Sequence, residues 1–366
     1  MTDHLIVGGG IIGLLTARYL RQAGAGVTLL ERRQVGRESS WAGGGILSPL
    51  YPWRYAAPVN ALARWSQPRY RALAEELQAD TGIDPEWIQS GLLVLDPDET
   101  PRATAWAEKA GARLDIIDRD TLARIEPAVG AHADGGLLFP EFAQVRNPCL
   151  LKALRRDVQA RGVRIRESAE VSHLLHENGR IRGVATADGG HIAAERVIIA
   201  CGAWSASLLR ELGQAIDIAP VRGQMLLYRG EPGLLKHIVL HRGHYAIPRR
   251  DGRLLFGSTM EDVGFDKTVT EQARQELERA AQVLIPALAE VPLERHWAGL
   301  RPASPNGIPY IGAHPRIEGL YINAGHFRNG VVMAPASAHL LADLVLGRRP
   351  ILDPAPFALD THASAA

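Results

Sequence analysis

Residues 4–33, HLIVGGGIIGLLTARYLRQAGAGVTLLERR, restrict the fold of this chain more than any other stretch. A short apolar strand runs into a glycine turn, then into a helical pattern carrying Leu14, Leu15, Ala17 and Leu20, then into a second apolar strand from Val27 to Leu30. Strand, helix and strand in this order make a βαβ unit. Gly8, Gly10 and Gly13 occupy the turn as G-x-G-x-x-G. The first permits the tight turn, the second lets a pyrophosphate approach the backbone, and the third lets helix and strand pack closely. The helix start then offers unpaired N–H groups and a positive dipole end to phosphate. Glu31 closes the second strand, at the distance where a carboxylate accepts from ribose hydroxyls. The unit predicts a dinucleotide site.

The glycines alone do not separate FAD from NAD; three later stretches point to FAD. ESSWAGGGIL at 38–47 offers the hydroxyls of Ser39 and Ser40 and a triple glycine whose bare backbone could lie against a phosphate or a flat ring. SAEVSHL at 168–174 puts Val171 on a strand where adenine could take backbone hydrogen bonds. GHFRNGVV at 325–332 presents a helix N-terminus, and a reduced flavin needs positive charge near N1 and O2.

At 366 residues the chain is long for one core and is read as two domains. After the first unit the pattern loosens into an aromatic stretch, helical material at 59–80 and a strand at 91–95. Residues 147–167 return to helix, turn and strand, and the stretch 195–204 reads as a buried strand ending in Gly202. Between 220 and 300, short strands surround a helix near 270–285, with Thr268 and Glu271 resembling a capping box. The expected fold class is α/β: a Rossmann-like FAD-binding domain from residues 1–55, 146–219 and 300–366, interleaved with an α+β substrate domain on an antiparallel sheet from 56–145 and 220–299.

A net charge of +1, from 41 basic and 40 acidic residues, gives no field that would draw nucleic acid or an anionic membrane. The two cysteines, Cys149 and Cys201, form neither a CxxC pair nor a zinc-like cluster, so no metal is expected and a reducing cytoplasm fits. The N-terminus enters a strand too soon for an export signal. Residues 330–347 are interrupted by Pro335, His339 and Asp343 and read as a half-buried amphipathic helix, not a membrane span.

The N-terminal fingerprint with SSWAGGG, IIACGAWS, HYAIPR, WAGLRP and AGHFRNG resembles the D-amino-acid oxidase family of flavoproteins, and within it the glycine oxidases linked to thiamine synthesis. The resemblance spans nearly the whole chain. It implies FAD contacts at Ile11, Ile12, Glu31, Arg32, Ser39, Ser40, Gly44, Gly45, Ile46 and Val171, and along His326, Phe327, Arg328, Asn329, Gly330, Val331 and Val332. The family's carboxylate-binding arginine falls on Arg301, its second pocket arginine on Arg328 and its pocket tyrosine on Tyr245. The flavin-linking cysteine of related sarcosine oxidases has no counterpart in the C-terminal region, so FAD is expected to be non-covalent.

The implied reaction is oxidation of glycine, and of sarcosine and small D-amino acids such as D-alanine, by hydride transfer to flavin. The imine yields glyoxylate and ammonia, and oxygen yields hydrogen peroxide. An arginine fork suits a carboxylate better than lysine would, and no protein base is assigned. Arg301 is otherwise an interdomain ion pair, and Met260 is either a pocket residue or a gap-filler. Further implications are a homo-oligomer, often a tetramer, and a link to thiamine thiazole synthesis. The rival readings are a dehydrogenase acting on D-amino acids or sarcosine that passes electrons to a carrier, and a tRNA-modifying flavoprotein of the same superfamily.

Overall fold

The computed structural model describes residues 2–130, 133–212 and 216–360. Residues 1, 213–215 and 361–366 of the expected cofactor segments, and 131–132 of the expected substrate segments, lie outside that range. In chain order the strands are β1 (Thr2–Val7), β2 (Val27–Leu30), β3 (Leu92–Val94), β4 (Asp115–Asp118), β5 (Gly135–Phe139), β6 (Arg164–Arg166), β7 (Val171–Glu177) and β8 (Arg180–Thr186). They continue as β9 (His191–Ile199), β10 (Ala219–Arg229), β11 (Ile238–His241), β12 (His244–Pro248), β13 (Arg253–Gly257), β14 (Leu293–Ala303), β15 (Tyr310–Ala313) and β16 (Leu320–Ala324).

One sheet runs β15-β16-β9-β1-β2-β6, with β7 and β8 hung on β9. From β16 to β6 every pairing is parallel. Parallel strands are covered on both faces, which explains the unbroken apolar runs. Ile6, Leu29 and Ile198 face one way, into the helices; Leu5, Val7, Leu30, Val197 and Ile199 face the other. The helix Ile11–Gln22 packs on the first face with Asn147–Ala160 and Gly330–Val345.

The second sheet runs β14-β10-β13-β12-β11-β3-β5-β4 and is antiparallel except between β3 and β11. Its two faces separate with period two. Met225, Tyr245, Ile247 and Leu255 look toward the first sheet's loops, while Leu226, Tyr228, Ala246, Leu254 and Phe256 pack against Leu277, Ala281 and Leu284 of the helix Glu271–Leu284. The α/β class and the two sheets agree with the sequence expectation.

Four local expectations are corrected. The helical material at 59–80 is two helices, Ala57–Ser66 and Tyr70–Thr81, joined by a tighter turn at Gln67–Arg69 that carries Pro68. The strand expected to end in Gly202 ends at Ile199, and Gly202–Trp204 is a 3-10 turn. The cap of the helix at 271 is Thr270, which accepts from the N–H of Ala273 at 3.3 Å. Thr268 is held elsewhere, its carbonyl accepting from Arg222, and Glu271 pairs with Arg274, so the capping box does not form. The helix Gly330–Val345 is buried on almost every side, not half-buried. Its small residues Ala334, Ala336, Ala338 and Ala342 allow close packing, His339 lies against the rings of Tyr19 and Trp65, and the Asp343 carboxylate accepts from Ile351 N–H. Among the described residues no helix is long and apolar enough to cross a membrane.

Candidate active site

A cavity of about 490 Å³ runs between the C-terminal edge of the parallel sheet and the inward face of the antiparallel one. Such a volume is usual for a bound organic ligand. At one end lies the first βα turn. A Cβ on Gly8 would stand 2.3 Å from the carbonyl oxygen of Ala200, and one on Gly13 would stand 2.0 Å from the carbonyl oxygen of Gly8. Both glycines are therefore dictated by close backbone approach. Gly10 differs: it lines the cavity, and an added Cβ would meet only the Ser40 hydroxyl, at 3.2 Å. Its bare face is where a phosphate can come close. Ile11 N–H donates to Ser40 Oγ at 3.1 Å, so the hydroxyl expected to face a cofactor also caps the helix start.

Glu31 is buried at the end of β2 and reaches back to the turn, its Oε2 accepting from Gly9 N–H at 2.9 Å and its Oε1 from Arg33 N–H at 3.1 Å. It lines the cavity with Arg32, whose guanidinium sits 3.6 Å over the Trp204 ring, and with Val171. Ser39 also lines the cavity, with its hydroxyl bonded to the carbonyl of Leu300.

In the middle, Gly44, Gly45 and Ile46 form one wall. A Cβ on Gly44 would come within 2.6 Å of Ile247 Cδ1, and Gly45 has a φ of +80°. Behind this loop is a residue that sequence reading missed. Arg249, buried at the end of β12, donates to Gly44 O at 2.7 Å, Val145 O at 3.0 Å and Gln144 Oε1 at 2.7 Å. Burial pulls its guanidinium down to about 10, leaving it cationic at neutral pH. Its signal in the sequence was its place at the end of HYAIPR, after a strand proline, with nothing there to show what it would hold.

At the far end Tyr245, Arg301 and Arg328 converge with Met225, Gly223 and Gly299. Pairing of β10, β12, β13 and β14 places Trp297, Met225, Gly257 and Tyr245 in one cross-strand row on the cavity face. Arg301 donates to Ser258 Oγ at 2.5 Å and to Thr259 O at 3.0 Å, and Tyr245 O–H reaches Ser258 Oγ at 3.3 Å. Among the described residues neither Arg301 nor Arg328 forms an ion pair. Burial pulls the Arg301 guanidinium below its usual value; nearby Tyr245 opposes that and Arg328 reinforces it. Two cations facing one cavity without carboxylate partners suit an anionic ligand.

The C-terminal turn completes the wall with His326, Phe327, Arg328, Gly330, Val331 and Val332. His326 is buried, its Nε2 has no hydrogen-bond partner among the described residues, and burial lowers its imidazole to about 3. Asn323 Oδ1, in the same wall, is likewise buried without a partner. Orphaned polar atoms in the lining, the open face of Gly10 and a bare glycine wall in one cavity fit FAD as the occupant. Not every expected residue arrives there. Gly13 and Asn329 lie behind the lining, and Met260 is 55 % exposed, touching the Arg328 guanidinium at 3.4 Å outside the cavity. Neither His241 nor His244 lines it. His241 is bound to Leu95 O and sits beside Asp96, which raises its pKa; His244 stacks on Phe256. Cys201 donates to Val7 O, and burial pushes its thiol up to about 12, out of reactive range.

Residues 3–344 match the model of a family described as FAD dependent oxidoreductase, DAO. A glycine oxidase of Pseudomonas aeruginosa is 49 % identical over 97 % of both chains. A bifunctional ThiO/ThiG protein of Synechocystis is 33 % identical over 95 % of this chain, which spans 52 % of that longer one. The crystal structure of a glycine oxidase from Geobacillus kaustophilus superposes with a TM-score of 0.92 at 31 % identity, covering 98 % of each chain. Fold, cradle and relatives agree, and the chain belongs to the DAO family of FAD-dependent oxidoreductases.

Proposed function

We propose that this chain is an oxidase that deaminates glycine to glyoxylate and ammonia, and also accepts sarcosine and small D-amino acids such as D-alanine. The observation that carries the reading is the pair of arginines without acidic partners, Arg301 and Arg328, in the same cavity as the glycine-rich dinucleotide turn. The glycine oxidase relatives support it. FAD, when bound, supplies the acceptor for a hydride from the substrate Cα and hands the electrons to oxygen.

The chain's own residues bind and orient. The pyrophosphate would rest on the helix start, at the backbone of Ile12 and the open face of Gly10, beside an Ile11 N–H that already donates to Ser40 Oγ at 3.1 Å, and Glu31 would hold a ribose. Gly44, Gly45 and Ile46 give the ring a flat wall, backed by Arg249. Arg301 fixes the substrate carboxylate with help from Tyr245 O–H, which aims Cα at the ring wall and leaves the amine free to lose its proton to solvent. The two guanidinium charges disfavour the ammonium form and so favour the reactive neutral amine. We read residues 1–55, 146–219 and 300–366 as the cofactor side and 56–145 and 220–299 as the substrate side, with two exceptions among the described residues: the helices Ala57–Ser66 and Tyr70–Thr81 pack in the core of the first sheet's helices, and Leu300 to Ala303 end β14 of the second sheet. The ThiO/ThiG relative supports a role in thiamine thiazole synthesis, and the family resemblance supports a homo-oligomeric, cytoplasmic enzyme.

The test is a visible spectrum of the purified holoprotein under nitrogen. Glycine should bleach the flavin band, and admitted air should restore it with release of peroxide. A flavin band that glycine leaves unchanged sinks the glycine reading.

A further inference from the structure

The Arg301 guanidinium rests on bare backbone. In the β10–β14 pair, Arg301 lies opposite Val221 and Gly299 opposite Gly223, so Arg301 and Gly223 are diagonal neighbours on one face. A Cβ on Gly223 would stand 2.2 Å from both Nη1 and Nη2 and 2.3 Å from Cζ. The φ of Gly223 is not in the left-handed region, so backbone conformation does not call for glycine there. Space for the guanidinium does.

The acceptors around that slot are themselves fixed. Nη2 donates to Ser258 Oγ, and Nη1 donates to Thr259 O at 3.0 Å and more weakly to Arg222 O at 3.5 Å. Ser258 is buried, and Gln224 N–H donates to Thr259 Oγ1. Arg222 is locked by Glu261 and Asp266. A guanidinium has five N–H donors. Three are used on the sheet, which leaves Nε–H and one Nη2–H, two donors for the two oxygens of a carboxylate.

We propose that Gly223 and Ser258 are positioning residues that seat Arg301 before substrate arrives and thereby set the affinity for carboxylate-bearing substrates. The proposal rests on the reading of Arg301 as the carboxylate clamp. Alanine at 223 displaces only the far end of a flexible side chain, so its effect is on the guanidinium and not on the strand. In the holoenzyme, Gly223→Ala should raise KM for glycine by about 10- to 100-fold, the worth of a misplaced charge-assisted hydrogen bond, with kcat at saturation nearly unchanged. Ser258→Ala should move KM in the same direction by about 5- to 10-fold, the worth of one hydrogen bond. Titration with acetate, read as perturbation of the flavin spectrum, should weaken in parallel, a change that loss of packing alone would not produce.

Arg301→Ala serves as the reference. If it abolishes acetate binding while Gly223→Ala and Ser258→Ala stay within about twofold of wild type, the seat is overturned and the clamp stands. If Arg301→Ala leaves acetate binding and KM intact, the clamp itself fails and the seat with it. Should Gly223→Ala not fold, Ser258→Ala decides the matter by the same two readouts.

Discussion

His326 carries the clearest pH signature at the scale of single residues. Its imidazole is buried and held near 3, so below the ordinary value of 6.5 an unfolded chain takes up a proton that the folded chain refuses. Stability is therefore unaffected by this group above about pH 7 and falls as pH drops below 6.5. Between about pH 7 and pH 5 urea unfolding of the wild type should lose about 2 kcal/mol more than His326→Asn. Equal losses in the two proteins would contradict the buried neutral state. The residues legible in the sequence were those bound to a motif: Glu31 at the strand end, Arg301 after WAG, Arg328 between two glycines. Gly223 and Ser258 were not, because each matters through what lies across the sheet from it, and register is not written in local composition.

At the scale of elements, the first βα turn depends on an absent side chain. The Gly13 Cα packs against the Gly8 carbonyl, and a methyl group would stand 2.0 Å from that oxygen. Gly13→Ala should lift the helix Ile11–Gln22 off β1 at a cost of about 1–3 kcal/mol, the usual penalty for overpacking. FAD affinity should fall with it, since we propose the helix start as the phosphate site; fluorescence of released FAD on dilution would measure this. Unchanged retention would mean that the turn does not hold the pyrophosphate. Element type followed from periodicity almost throughout, whereas ends did not. Thr270 took the cap expected of Thr268, whose carbonyl is engaged by Arg222 of β10. The helix Gly330–Val345 read as amphipathic because His339 and Asp343 look like a wet face; both are partnered inside.

Across the whole molecule, Arg249 ties the second sheet to loops of the first. Its three acceptors are the carbonyls of Gly44 and Val145 and the Gln144 side chain, all held by the one guanidinium. Arg249→Met should cost about 3–5 kcal/mol, several buried acceptors at roughly 1–3 kcal/mol each with partial relaxation, and should loosen FAD as the Gly44 loop shifts. Urea unfolding and FAD titration check the two effects separately. Arg249→Lys should recover part of the stability, since one ammonium can reach some but not all of the three. Stability equal to wild type in Arg249→Met would remove the staple from the account.

The sequence by itself determined the dinucleotide turn, the alternation of strand and helix that demands a parallel sheet, and the period-two strands of the second sheet, because each is a local pattern tied to backbone geometry. Only the tertiary structure decided which glycines make room for a guanidinium, which arginines are left without acidic partners, and that Met260 stays outside the cavity. These depend on distances between residues far apart in the chain, which are fixed by packing and strand register once the two sheets face each other.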